Sequence, residues 1–165
     1  AFATLARGEP SRYEHPPMPA HGPVVLVVDD DADHLLMLQL SLESFGFELR
    51  TADSCASAQA ALAAGGVDAL VVDLSLGDGS GVDLVRELAG ARPRVCVLLS
   101  GFDATDLAPE AAQGFDACFV KPASVASLAA AISSGLARRR SGAITRVDAP
   151  LARTTGPAAR RRGAA

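Results

Sequence analysis

The stretch VVLVVDDDADHLLMLQLSLESFGF, residues 24–47, decides the fold. Its first five residues are an unbroken apolar run dominated by valine. A strand with one face in water alternates apolar and polar residues. An unbroken run therefore predicts a strand buried on both faces. Over residues 31–45 the period changes. Leu35, Leu38, Leu42 and Phe45 recur at helical spacing, and Gly46 fits the C′ position beyond a helix end. A doubly buried strand followed at once by an amphipathic helix is the repeating unit of a parallel sheet. Three acids, Asp29, Asp30 and Asp31, sit at the joint.

Working outward, the unit repeats. FELRT (47–51) predicts a second strand. SCASAQAALAA (54–64) predicts a helix capped by Ser54 and stopped by Gly65 and Gly66. DALVVD (68–73) predicts the third strand and GVDLVRELA (81–89) the next helix. RVCVLLS (94–100) predicts the fourth strand, and residues 103–113 a weak helix interrupted by Pro109. ACFV (117–120) and SVASLAAAISSGLA (124–137) predict the last strand and helix. Strand and helix alternate five times. The fold class is α/β, a doubly wound five-stranded parallel sheet with helices on both faces.

The chain has 165 residues, 49% of them apolar, enough for one domain plus tails. Residues 1–23 are rich in proline and read as a linker. Within them FATL (2–5) reads as part of that linker, with the frayed last strand of an upstream domain as the alternative. The chain begins at Ala1 rather than Met, as an excised fragment would. Residues 24–137 hold sixteen Asp/Glu against five Lys/Arg, a balance of −11. Residues 138–165 hold eight Arg against Asp148, a balance of +7. That tail lacks apolar periodicity and is expected to be disordered and solubilising, with nucleic-acid contact only through its arginines. Cys55, Cys96 and Cys118 lie far apart without metal-ligand spacing, so buried thiols in a reducing, cytoplasmic setting are expected. No apolar run is long enough to span a membrane and no signal peptide is visible, so no membrane contact is expected.

In parallel sheets with helices on both faces, ligands sit beyond the carboxyl ends of the strands. Four of the five strands deliver a polar group there: Asp29 and Asp30, Asp73, Ser100, and Lys121. Lys121 is the only lysine; every other basic residue is arginine. Two carboxylates at ~4 Å and an effective dielectric near 20 repel by about 4 kcal/mol. Either one holds a proton or a cation sits between them. An all-oxygen site of few ligands, open to water, suits Mg²⁺. A carboxylate nucleophile beside such an ion, with a hydroxyl and an ammonium opposite, meets the needs of phosphoryl transfer. Lysine, a compact charge on a flexible stem, suits an oxygen that changes identity during a reaction better than the planar arginine fork.

These residues resemble the receiver domains of bacterial response regulators, over residues 24–137. LVVDDD resembles the family's first-strand acidic pair, VVDLSLGDGSG its phosphoacceptor strand and loop, VLLSG its Ser/Thr position, and FVKPA its Lys-Pro pair. The resemblance implies a flavodoxin-like strand order 2-1-3-4-5. It implies Asp73 as phosphoacceptor and Mg²⁺ held by Asp29, Asp30, Asp73 and the Ser75 backbone carbonyl. Ser100 and Lys121 would contact the phosphoryl group, and the Lys121–Pro122 bond would be cis. Gly81 falls at the usual glycine. The implied partner is a histidine kinase or histidine phosphotransfer domain. The implied role is a two-component phosphorelay switch, which is a phosphoacceptor rather than an enzyme. Both a free-standing regulator and the C-terminal receiver of a hybrid sensor kinase fit.

Three departures stand out. Gly77 replaces a common proline, which predicts a looser loop. Cys118 replaces a common aromatic or His. The Ser100–Lys121 segment is about one residue short. His15, His21 and His34 read as solvated. Leu36, Met37 and Leu40 widen the first helix's apolar face, as expected of a surface that docks the phosphodonor.

Two rivals keep the acidic cluster. A Mg²⁺-dependent phosphatase of haloacid-dehalogenase type would use Asp29 as nucleophile, with D-x-D at Asp29 and Asp31. A receiver-like interaction module would not be phosphorylated at all. A nucleotide-binding reading of Gly77-Asp78-Gly79-Ser80-Gly81 fails on position, because that loop follows the third strand and carries an acid where phosphate would sit.

Overall fold

A computed structural model describes residues 22–101 and 112–140. The chain runs β1 (Val24–Val28), α1 (Ala32–Glu43), β2 (Glu48–Ala52), α2 (Cys55–Ala63) and β3 (Ala69–Asp73). It continues through β4 (Ser75–Leu76), β5 (Gly79–Ser80), α3 (Gly81–Glu87) and a 3-10 turn at Ala89–Ala91. Then come β6 (Val95–Ser100), β7 (Ala117–Val120) and α4 (Val125–Arg140). β2-β1-β3-β6-β7 form one parallel sheet, while β4 and β5 form a separate antiparallel hairpin. Counting the sheet strands alone, the order is the expected 2-1-3-4-5. It reverses direction between β1 and β3, which is where open α/β sheets bind ligands.

Side chains alternate across each strand, so β1 feeds two cores. Val25 and Val27 join Leu38, Leu42, Val71, Val97 and Ile132 beneath α1 and α4. Leu26 and Val28 join Ala58, Leu70, Val72, Leu84 and Leu98 beneath α2 and α3. This is why β1, β3 and β6 read as unbroken apolar runs.

Element ends shift by a residue or two, and three expectations need correction. Phe45, expected on the core stripe, is 51% exposed. The helix ends at Glu43 with Ser44 as its C-cap, so Phe45 lies in the following turn. The chain reverses at Gly46 (φ 87), and Phe47 enters the core instead. Of the three cysteines expected to be buried, Cys96 is, Cys55 is half-buried and Cys118 is exposed. Cys118 sits on β7, the last strand in the sheet order, where alternation turns it away from Ala117 and Phe119. The last helix continues through Arg140, three residues beyond its expected end. The expected helix over 103–113, the FATL segment and the tail beyond residue 140 lie outside the described residues.

Candidate functional site

Asp29 follows the last residue of β1 and shares the parity of Val25 and Val27. It is thus aimed toward α1 and is 1% exposed. Its Oδ1 accepts the Asp31 N–H at 3.0 Å. Its Oδ2 accepts from Lys121 Nζ at 2.7 Å and from His34 Nδ1 at 2.5 Å. Asp31 is spent differently. It is the N-cap of α1, accepting the N–H groups of Asp33 (2.9 Å) and His34 (3.0 Å). Asp30 lies between them, exposed.

Asp73 ends β3 with the same parity, 8% exposed, and Lys121 Nζ stands 3.2 Å from its Oδ1. One carboxylate oxygen from each of Asp29, Asp30 and Asp73 falls within a 4.8 Å group. Ser100, at the end of β6, is buried beside them, and its carbonyl accepts the Lys121 N–H at 2.7 Å. The Lys121–Pro122 bond is cis, as the resemblance implied. Gly81 is required by close approach. A Cβ there would stand 2.2 Å from the Asp73 carbonyl oxygen.

The loop after Asp73 is a hairpin. Gly81 N–H donates to Leu74 O at 3.0 Å, and Ser75 faces Ser80 in the register. That makes Ser75–Ser80 a non-hydrogen-bonded pair, so the Ser75 carbonyl points away from its partner strand in the hairpin. Gly77, which is expected to loosen this loop, occupies the first turn position. The turn is fastened by Asp78, whose carboxylate accepts from Cys55 N–H at 2.7 Å and Ala56 N–H at 3.0 Å.

Burial works to raise the pKa of Asp29, yet Lys121, the Asp31 N–H and His34 outweigh it and hold the carboxyl below its usual value. Burial also acts on Asp73, which has fewer donors and the charge of Asp29 nearby. Its pKa is raised, with Lys121 offsetting only part. For Lys121 burial favours the neutral amine, but the two acids prevail and its pKa rises. Lys121 is thus a cation shared unequally between two acids. A single ammonium against three carboxylates leaves net negative charge on oxygen donors alone, a set that fits a hard divalent cation.

All five strand-end residues expected at the site, Asp29, Asp30, Asp73, Ser100 and Lys121, meet at one edge. His34 was missed; it is not a solvated helix residue but a partner of Asp29. The signal was in the sequence. His34, Leu38 and Leu42 are spaced four apart, so His34 lies on the inward stripe of α1, level with the end of β1. Asp78 was also missed, because its partners on α2 are distant in sequence.

Comparison with known proteins gives a consistent result. The chain is similar to the transcriptional regulatory protein PrrA of Mycobacterium tuberculosis, 37% identical over 123 residues, covering 73% of this chain and 53% of that protein. It thus spans about half the length of that relative. Among solved structures, a response regulator receiver domain protein from Clostridium thermocellum superposes with a TM-score of 0.67 at 26% identity, covering 73% of this chain and 99% of that one. The response regulator TrrA of Thermotoga maritima, solved in complex with Mg²⁺-BeF, shares the fold with a TM-score of 0.61 at 22% identity, covering 68% of this chain and 98% of that one. The response regulator receiver domain profile matches residues 25–133, so that on sheet order, strand-end chemistry and sequence together the chain belongs to the response regulator receiver domain family.

Proposed function

We propose that this chain accepts a phosphoryl group on Asp73 from a phosphohistidine of a partner histidine kinase or histidine phosphotransfer domain, in a Mg²⁺-dependent reaction, and switches conformation as a result. The observation that carries this reading is the convergence of Asp29, Asp30 and Asp73 around the sole lysine. An Asp73 carboxylate oxygen attacks phosphorus, a P–O bond forms, the P–N bond breaks and its electron pair returns to the imidazole. Asp30, Asp73 and the Ser75 carbonyl are the groups that would hold Mg²⁺, with Asp29 acting through water. When bound, the ion offsets negative charge on the carboxylates and phosphoryl oxygens. Lys121, drawn by both acids at rest, turns to a phosphoryl oxygen, and the Ser100 hydroxyl takes another. The Mg²⁺-BeF complex of the Thermotoga relative supports this chemistry for the shared fold.

Asp29 is a poor candidate for the nucleophile, because Asp31, His34 and Lys121 already occupy both its oxygens. Residues 24–137 are proposed as the receiver, 1–23 as a linker and 138–165 as a basic tail. A cytoplasmic setting fits the free thiols. Among the described residues no helix is long and apolar enough to cross a membrane.

The test is labelling with acetyl phosphate and Mg²⁺. Wild type should gain one phosphoryl group, and Asp73→Asn or EDTA should abolish it. Label on Asp29 in the Asp73→Asn protein would favour the phosphatase reading. No label on wild type, and no response to beryllofluoride, would favour the unphosphorylated module.

A further inference from the structure

We propose that Asp78 is a positioning residue for the metal site: it fastens the hairpin bearing the Ser75 carbonyl to the first turn of α2. The inference rests on the Mg²⁺-dependent reading above. Three observations carry it. First, Asp78 lies at the tip of the turn joining β4 to β5, and its two carboxylate oxygens each accept one backbone N–H of α2, from Cys55 at 2.7 Å and Ala56 at 3.0 Å. Ser54 caps the third N–H of the turn, that of Ser57, through its hydroxyl at 3.2 Å. In the folded chain the hairpin thus caps two of the first three N–H groups of the helix and Ser54 the third. Second, the hairpin lies hard against that helix. A Cβ on Gly79 would stand 3.0 Å from Cys55 Sγ, closer than a side chain comfortably packs. Third, the turn also faces the acids, because a Cβ on Gly77 would stand 3.7 Å from Asp30 Oδ2.

The hairpin thus bridges α2 on one side and Asp30 on the other, and Ser75 sits two residues before the first turn position. Two-residue strands cannot hold such a hairpin by themselves. With Gly77 at the first turn position the backbone has no intrinsic restraint, so Asp78 supplies it from outside. A proline at residue 77 would supply it from within. Proline favours the first central position of a turn, the extended Leu76 before it suits the restriction proline imposes, and Gly77 is not among the glycines at positive φ.

The experiment compares Mg²⁺ affinity by calorimetry, and the Mg²⁺ concentration giving half-maximal labelling from acetyl phosphate, in wild type, Asp78→Ala, Asp78→Asn and Gly77→Pro/Asp78→Ala. Urea unfolding of each protein controls for folding. Asp78→Ala should weaken Mg²⁺ binding by about tenfold while leaving the labelling rate at saturating Mg²⁺ near wild type. Asp78→Asn, which keeps one acceptor, should fall between, and the proline double variant should recover most of the loss. Wild-type affinity in Asp78→Ala overturns the inference alone. So does an equal loss in Asp78→Ala and Asp78→Asn that proline leaves unrepaired, since that would trace the effect to lost charge. Failure of wild type itself to bind Mg²⁺ overturns the functional reading and this inference with it.

Discussion

Asp29 and Asp73 carry the same side chain, face the same ammonium and shift in opposite directions. Burial raises both, but Asp29 has three donors against it. For Asp29 the folded pKa is depressed, so its contribution to stability is present above the unfolded carboxylate value and lost as pH falls through the folded one. For Asp73 the folded pKa is raised, so its contribution is intact below the unfolded value and lost as pH rises through the folded one. Without divalent cation at pH 7, Asp73→Asn should therefore raise the melting midpoint while Asp29→Asn lowers it. The Asp73→Asn advantage should vanish as pH falls below ~3.9, the usual unfolded carboxylate value. A melting series across pH checks both signs. His34→Ala removes one donor from Asp29 and should cost about 1 kcal/mol in urea unfolding, with His34→Asn recovering part of it.

At the scale of elements, the site is where four of the five strand ends meet, and the spacing tolerates little. Gly81→Ala would press a Cβ within 2.2 Å of the Asp73 carbonyl oxygen and 2.8 Å of Val72 Cγ2. Backbone cannot yield as a flexible side chain does. The substitution should destabilise by about 1–3 kcal/mol and slow labelling of Asp73, measured by urea unfolding and acetyl phosphate kinetics. On the outer face of α1, Leu36 (55%), Met37 (43%) and Leu40 (61%) are exposed. Glu substitutions at Leu36 and Met37 should slow phosphotransfer from a cognate kinase while leaving acetyl phosphate labelling and the melting midpoint unchanged. An unaltered transfer rate would remove this face from the docking surface.

For the whole molecule, ion binding and folding are linked. A cation that binds only the folded cluster stabilises it by ~2.7 kcal/mol at one hundred times its dissociation constant. Mg²⁺ should raise the urea midpoint and EDTA should reverse it. A midpoint indifferent to Mg²⁺ would mean that the acids hold no ion. The charge asymmetry of −11 over residues 24–137 belongs to this scale too, since an acidic body attracts divalent cations before any ligand geometry acts.

While the strand order was implied only by the family resemblance and was fixed by the tertiary pairing, the sequence by itself determined the strand–helix alternation and the residues gathered at the carboxyl edge. It could do so because burial on two faces leaves an unbroken apolar run, and because whatever follows such a run lies at one edge. It also held the position of His34, in a four-residue spacing that went unread. Only the tertiary structure decided which donor each acid receives, since Lys121 stands 92 residues from Asp29 and the choice between Asp29 and Asp73 is one of tenths of an ångström. It alone placed Asp78 on α2, 22 and 23 residues away, and turned Phe45 out in favour of Phe47. Local periodicity fixes which residues are buried. Distance between side chains depends on how helices and loops pack against the sheet, and no single segment records it.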